Sequence, residues 1–380
     1  MIAPRIARLR LSDFRSFAAL DCAFGPMLVA LCGENGVGKT NLLEALSLLS
    51  PGRGMRRASL SDMARLGGTG SFAVVADLEG ADAETRLATG SERDPGSQNP
   101  VRRSRINGAP VPSSNAFSEH LRIVWMTPAL DGLFNGPAGD RRRFVDRLVL
   151  AIDPGHAARA AALEQALRQR NRLLEEPRHD VAWLDAVERQ IAKLGIAVAF
   201  ARRETIERLS SLIAAGRDES SLFPYAEIAL VGETDDLVAT HAAIAAEDAM
   251  RRSLRDTRAR DRAAGRTLTG PQTSDLAVRH GPKGIEAERA STGEQKALLI
   301  GLVMAHAHLV AQMSGIAPLV LLDEVAAHLD PGRREALFAA LAKLGGQVFM
   351  TGADRALFGD LPQGAKLFRV TPGEVRQEPD

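Results

Sequence analysis

Cysteine is nearly missing from this chain. Cys22 and Cys32 are the only two in 380 residues, too few for a disulfide framework, which excludes a small secreted scaffold held by cross-links. No uninterrupted apolar run reaches the length of a membrane span, and the opening residues Met1 to Ile6 lack the apolar segment of a secretory signal. The expectation is a cytoplasmic protein without a membrane partner. Internal repeats and low-complexity tails are also lacking, so repeat arrays drop out. An excess of one charge sign is absent too: 48 Lys and Arg against 47 Asp and Glu leave +1. That balance permits a nucleic-acid partner without demanding one.

What is present is a globular composition, 45% apolar, on a chain long enough for two or three domains. The basic residues are mostly arginine, and they cluster at Arg53, Arg56 and Arg57, at Arg102, Arg103 and Arg105, at Arg141 to Arg143, and from Arg251 to Arg266. The planar guanidinium fork suits phosphate. A solvated, arginine-rich surface would give the same clusters.

The stretch that organises the chain is Gly33-Glu34-Asn35-Gly36-Val37-Gly38-Lys39-Thr40, which fits the G-x-x-x-x-G-K-[ST] phosphate-loop pattern at every fixed position. The apolar run Met27 to Leu31 before it predicts a buried strand. Asn41 to Leu49 after it predicts an amphipathic helix with Leu42, Leu43, Ala45, Leu46 and Leu49 facing a core. Glycines let successive backbone N–H groups turn inward as an anion nest, and the helix start adds its positive dipole end. Lys39 then reaches the β- and γ-phosphates of a nucleoside triphosphate, and the Thr40 hydroxyl is placed to ligate Mg²⁺.

Before the loop, Ile6 to Leu11 and Ala19 to Phe24 read as strands around a turn at Asp13 to Phe17; after it come a basic loop from Gly52 to Arg57 and a strand from Phe72 to Leu78. Ser91 to Asn99 reads as a hairpin tip or insert, Arg105 to Ala109 as a strand entering a turn, and Ile123 to Met126 as a short buried run. From Pro154 the character becomes helical: Ala157 to Glu176, stopped by Pro177, then Asp180 to Ala215. There Leu184, Val187, Ile191, Leu194 and Val198 step by three and four, the spacing of a helix–helix seam. A strand at Ala226 to Val231 and a helix from Asp235 to Ala264 close this block.

Leu319 to Leu322 followed by Asp323-Glu324 is a second nucleotide signal. A central strand ending in two acids beside the loop, where open α/β sheets bind ligands, offers Asp323 for Mg²⁺ and Glu324 as general base. Ser291-Thr292-Gly293-Glu294-Gln295-Lys296 precedes a helix from Ala297 to Met313. Its S-x-x-E is a capping box. The same capped N-terminus can also point at a γ-phosphate, which in ABC-class proteins belongs to the opposite subunit. Ala326 to Asp330 looks like the loop that crosses that interface; His328 alone reads as an interface or surface histidine. A helix from Gly332 to Leu344 and a strand from Gln347 to Met350 follow.

With these motifs in order, the chain resembles the RecF family of recombination mediators, whose head is an SMC-like ABC ATPase. The likeness runs through DFRSF, GENGVGKTNLLEAL, SLSDMARLG, RRRFVD, Gly270-Pro271, STGEQKALL and LLDEVAAHLD. It implies an α/β fold, an ABC-type P-loop ATPase head with a mixed sheet and an inserted, mainly helical lobe, divided as 1–120, 121–268 and 269–380. It implies ATP contacts from Gly33, Glu34, Asn35, Gly36, Val37, Gly38, Lys39 and Thr40, with Mg²⁺ at Thr40 and Asp323. Glu324, Lys39 and Asp323 would be catalytic, with trans contacts at Ser291 and Gly293 and Asp330 at the interface. Arg15 stands where related heads touch nucleotide, or is a surface arginine. The activity implied is weak, DNA-stimulated hydrolysis of ATP to ADP and phosphate by an ATP-dependent homodimer. Partners implied are DNA at gaps, RecO and RecR, and indirectly RecA, in repair, replication restart and the SOS response.

Three positions depart from related patterns. Thr351 stands where transporter ATPases carry a switch histidine, Thr127-Pro128 where a glutamine loop is expected, and Gln272 and Thr273 where the family usually has histidine and arginine. The RRRFVD run reads as an interlobe salt-bridge network or a DNA contact. A transporter nucleotide-binding subunit remains the second reading, against the missing histidine, the missing glutamine and the helical insert. A metabolic P-loop kinase is the third, and it leaves STGEQK unexplained.

Overall fold

The computed structural model describes residues 2–80, 84–93, 100–176, 180–218, 221–359 and 361–379. Most of the expected hairpin tip and the stop at Pro177 lie outside them, as do the side chains of Ala327 and His328. The chain divides into two compact units: residues 1–131, 218–224 and 291–380 form the first, and 132–217 and 225–290 the second. The expected boundaries differ, because Leu121 to Asp131 packs with the first unit and Thr269 to Ala290 with the second.

The first unit opens with the hairpin β1 (Arg5–Phe14) and β2 (Phe17–Ala23), then β3 (Leu28–Cys32), α1 (Lys39–Ser47) and α2 (Leu60–Met63). Four strands, β4 (Phe72–Glu79), β5 (Thr85–Arg93), β6 (Pro100–Ile106) and β7 (Ala109–Val111), complete an antiparallel sheet ordered β2-β1-β4-β5-β6-β7. β4 alternates buried and half-buried residues, the mark of a sheet with one face on a core and one toward water. The β6–β7 turn is Asn107-Gly108, both at positive φ (51° and 83°), as a tight hairpin requires. β8 (Ile123–Met126) follows.

The second unit contains α3 (Ala138–Ile152), α4 (His156–Glu175), α5 (Val181–Ala215), β9 (Ala226–Val231), α6 (Glu233–Thr240), α7 (Ala243–Asp256), α8 (Arg258–Ala264), β10 (Asp275–His280) and β11 (Ile285–Glu286). α5 is capped by Asp180, whose carboxylate accepts from the N–H groups of Ala182 and Trp183 at 2.8 and 3.2 Å. Its seam residues Leu184, Val187, Ile191 and Val198 are buried against α4 and α7. The single helix expected over 235–264 is three helices. The breaks carry neither Gly nor Pro; at one of them the Thr257 hydroxyl reaches back to Leu254 C=O (3.4 Å), competing with the backbone ladder, and forward to the Asp261 carboxylate (3.1 Å). RRRFVD forms ion pairs within this unit: Arg141 grips Asp275 through two 2.7 Å bonds, and Asp146 holds Arg202 at 2.8 and 2.9 Å. The network expected to bridge two lobes is therefore internal to one.

The first unit resumes with α9 (Thr292–Ser314), β12 (Leu319–Leu322), α10 (Pro331–Ala342), β13 (Val348–Gly352), β14 (Lys366–Thr371) and β15 (Glu374–Gln377). The second large sheet is ordered β15-β14-β3-β13-β12-β8, parallel apart from the β14–β15 hairpin. β3 and β12 are buried throughout, as parallel strands covered on both faces must be. One core joins α1 (Leu42, Leu43, Leu46) to Leu9, Phe14 and Val74 of the antiparallel sheet and to Val29, Leu321 and Phe349 of the parallel one. Gln347, fully buried, bonds Ile6 N–H (2.7 Å), Ile6 C=O (3.2 Å) and Pro26 C=O (3.0 Å) where β1 slips register. Contrary to the expectation from apolar runs, α9 is long and apolar enough to cross a membrane (mean hydropathy 1.6), but 61% of that window is buried within the fold. It packs against β8.

Candidate nucleotide site

The phosphate loop leaves the C-terminal end of β3 and enters α1 at Lys39. Two glycines make the curl possible. Gly33 has φ 156° and a side chain there would meet Val370 C=O at 2.4 Å; Gly38 has φ 114° and a side chain would meet Ser16 Oγ at 2.7 Å. Lys39 is buried, and its ammonium donates to Gly33 C=O (2.6 Å) and Glu34 C=O (2.8 Å). Burial pushes its pKa down, while Glu324 and Asp323 oppose that, so both acids lie within electrostatic reach of the lysine.

β13 lies between β3 and β12 in the sheet, which brings the end of β12 toward the loop. The Thr40 hydroxyl donates to Asp323 Oδ1 at 3.0 Å, and the Thr351 hydroxyl donates to the same oxygen at 2.8 Å. Glu324 N–H donates to Thr351 Oγ1 at 2.9 Å. Burial raises the Asp323 carboxyl above its ordinary value, against the hydrogen bonds from Thr351 and Thr40. A buried carboxylate beside a threonine hydroxyl is a hard oxygen pair of the kind Mg²⁺ accepts together with substrate phosphates and water. The donor set fits the ion.

The signature residues form a second group. Ser291 caps α9, with both capping-box bonds made: Glu294 N–H to Ser291 Oγ (3.4 Å) and Ser291 N–H to Glu294 Oε2 (3.1 Å). Asp330 caps α10 by accepting from Arg333 N–H at 3.0 Å. Arg333, which the sequence reading passed over, also reaches Gly293 C=O at 3.4 Å and so ties the two helix starts together. Ser291 is exposed and Gly293 half-exposed.

Arg15 is committed elsewhere. Its guanidinium grips the buried Glu44 of α1 at 2.6 and 2.9 Å and donates to Asp62 C=O at 2.6 Å; Arg56 adds a second contact to Glu44 at 3.2 Å. An acid inside the apolar run LLEALS was the available signal for that pairing. At the glutamine-loop position, Thr127 opens a short turn, and Asp131 beyond it pairs with Lys296 of α9 at 3.3 Å.

A glycine cradle, a lysine, a threonine–aspartate pair and a following glutamate on this sheet define an ABC-type P-loop ATPase head of the SMC-like class. The family model for the RecF/RecN/SMC N-terminal domain matches residues 5–376. A DNA replication and repair protein RecF of Agrobacterium fabrum (strain C58 / ATCC 33970) is 53% identical over 371 residues, 97% of this chain and 98% of that protein. Its counterpart of the same description in Allorhizobium ampelinum (strain ATCC BAA-846 / DSM 112012 / S4) is 54% identical over 370 residues, 97% and 98% of the two chains. The chain belongs to the RecF family. In fold it is similar to a chain described as the recombination mediator protein RecF-ATPrS in the RecFOR pathway, with a TM-score of 0.86 over 99% of each chain at 22% identity.

Proposed function

We propose that this chain is an ATP-dependent, DNA-binding recombination mediator of the cytoplasm. It dimerises on ATP, binds DNA at gaps and helps load RecA together with RecO and RecR, in repair, replication restart and the SOS response. The observation that carries the ATPase part is the convergence of the Thr40 and Thr351 hydroxyls on Asp323 beside Lys39, with the Glu324 N–H held by Thr351. The descriptions of its relatives as replication and repair proteins support the DNA part.

In this reading, backbone N–H groups from Gly33 to Thr40 hold the triphosphate and Lys39 exchanges its two carbonyl partners for β- and γ-oxygens. Thr40 and Asp323 hold Mg²⁺, which when bound neutralises charge on the β- and γ-phosphates. Glu324 accepts the proton of the attacking water as its oxygen bonds to the γ-phosphorus, and the bridging oxygen leaves with ADP. Ser291, Gly293 and Asp330 complete the site from a second copy. The exposure of the capped α9 start supports that role, because an unburied helix N-terminus is free to meet a partner's phosphate. DNA stimulates a slow hydrolysis that releases the dimer from DNA.

Light scattering of the full chain tests the reading: ATP with Mg²⁺ is expected to double the mass, and Lys39→Met to abolish that response. Gel shifts on gapped and fully duplex DNA, with and without ATP, are expected to show an ATP-dependent preference for the gap. A mass indifferent to ATP, or an ATP-dependent dimer in Lys39→Met, refutes the mechanism.

A further inference from the structure

Thr351 occupies the position where transporter ATPases place their phosphate-sensing histidine, and the structure gives it other partners. It lies near the end of β13 and is fully buried. Its hydroxyl proton goes to Asp323 Oδ1 (2.8 Å), and its oxygen takes the Glu324 N–H (2.9 Å). One side chain thus fixes two consecutive residues on the neighbouring strand's end. Glu324 sits at φ 53°, ψ 24°, the left-handed region that a glutamate seldom adopts without a specific restraint. The Thr351 oxygen accepts from that amide and supplies such a restraint. Asp323 Oδ1 receives hydroxyls from both sides, Thr40 and Thr351, which orients the carboxylate, while Oδ2 accepts no hydrogen bond from the described residues.

We infer that Thr351 is a positioning residue for ATP hydrolysis. It orients Asp323 with Oδ1 taken by the two hydroxyls, leaving Oδ2 as the oxygen that would serve a metal ion, and it holds the left-handed turn that carries Glu324. It is not a γ-phosphate sensor, since its single proton is committed to Asp323. The inference rests on the ATPase reading above. The chemistry is that of an outer-shell partner: it touches neither substrate nor ion, yet it sets the geometry of the groups that do, and loss of such a partner typically reduces metal affinity or activity by about 10–100-fold.

The test compares full-length wild type, Thr351→Val and Thr351→Ser. Three quantities are measured: affinity for a fluorescent ATP analogue, single-turnover ATP hydrolysis, and the Mg²⁺ concentration giving half-maximal hydrolysis. Valine keeps the shape without the hydroxyl, and serine keeps the hydroxyl. Thr351→Val is expected to bind nucleotide within about threefold of wild type, to hydrolyse it at least about tenfold more slowly, and to need roughly tenfold more Mg²⁺. Thr351→Ser is expected to recover most of the rate and the wild-type Mg²⁺ midpoint. Wild-type rate and midpoint in Thr351→Val overturn the inference, as does a serine variant as impaired as valine, which would make the contribution one of packing. Should valine prevent folding, Thr351→Cys, of similar volume but a weak donor, is read by the same criteria. If the wild type itself neither binds nor hydrolyses ATP, the ATPase reading falls; if it does both and the variants match it, only the role of Thr351 falls.

Discussion

Replacing Asp146 with asparagine should change the pH dependence of stability in the helical unit. Asp146 on α3 accepts from Arg202 of α5 through two bonds and shares a 2.8 Å hydrogen bond with Nε2 of His156, the first residue of α4. Burial opposes its ionisation, but the hydrogen bonds from His156 and Arg202 and the Arg202 charge outweigh it and hold its pKa at about 2. An unfolded aspartate titrates near 3.9, so the depression of roughly two units corresponds to about 2.5 kcal/mol of folding stability. Because the folded pKa lies below the unfolded one, that contribution is complete above about pH 5 and is mostly lost as pH falls toward 2.

The assay is urea unfolding of wild type and Asp146→Asn followed by far-ultraviolet circular dichroism, from pH 7 down to 2.5. At pH 7 the variant should be less stable by about 3 kcal/mol, because Arg202 is left nearly buried without its counter-charge. The gap should shrink by about 2 kcal/mol between pH 5 and pH 2.5, as protonation costs the wild type the same interaction. A gap that stays constant with pH, or one below about 0.5 kcal/mol throughout, would show that the ion pair does not support the helical unit, and the reasoning would be wrong.

Two further substitutions probe other parts of the fold. Arg170 on α4 is fully buried and bonds Glu188 (3.0 Å), Asp261 (2.7 Å), Thr267 (2.8 Å) and Leu254 C=O (2.6 Å). Arg170→Leu leaves the buried Asp261 without its counter-charge and Glu188 with Arg258 as its remaining cation, so urea titration should register a loss of about 3–5 kcal/mol, against less than 1 for the exposed Arg168→Leu. Gly38→Ala combines a positive φ with a contact 2.7 Å from Ser16 Oγ; it should cost about 1–3 kcal/mol and abolish ATP binding by equilibrium dialysis.

Much of the site was legible because phosphate chemistry leaves local patterns. The loop, the buried strands at Leu28–Cys32 and Leu319–Leu322, and the capping box at Ser291 each lie within a few consecutive residues, where glycines, apolar runs and caps can be read directly. The helical seam of α5 was legible for the same reason, its burial following the three-and-four spacing. Elements missed were those whose signal is weak or tertiary. β14 and β15 are short strands whose marker, Thr371-Pro372-Gly373-Glu374 with Gly373 at φ 80°, is a hairpin turn that went unread. α3 hides Phe144, Val145, Leu148 and Val149 on one face behind a run of arginines, and so read as a charge motif. The partners of Thr351 are on another strand, 27 and 28 residues away in sequence, and no local pattern announces them.

The arginines show how far composition alone can mislead. Several members of the clusters that suggested a nucleic-acid surface are consumed by the fold. Arg102 reaches the C-terminal end of α1, donating to Leu48 C=O and Gly52 C=O, and burial draws its pKa down to about 10. Arg56 serves Glu44, Arg141 serves Asp275, and Arg258 serves Asp185 and Glu188. Exposed side chains without an ion-pair partner among the described residues include Arg53 and Arg57 in the first unit and Arg252, Arg260, Arg262 and Arg266 in the second. Arg103 and Arg105 are more than half exposed and lie only loosely beside Glu92, at 3.5 and 3.9 Å. A guanidinium already desolvated against a carboxylate gains little from phosphate, whereas an exposed one displaces a condensed counterion. If the chain binds DNA as proposed, the salt dependence of that binding is expected to belong to these exposed residues, while loss of the consumed ones should register as lost stability.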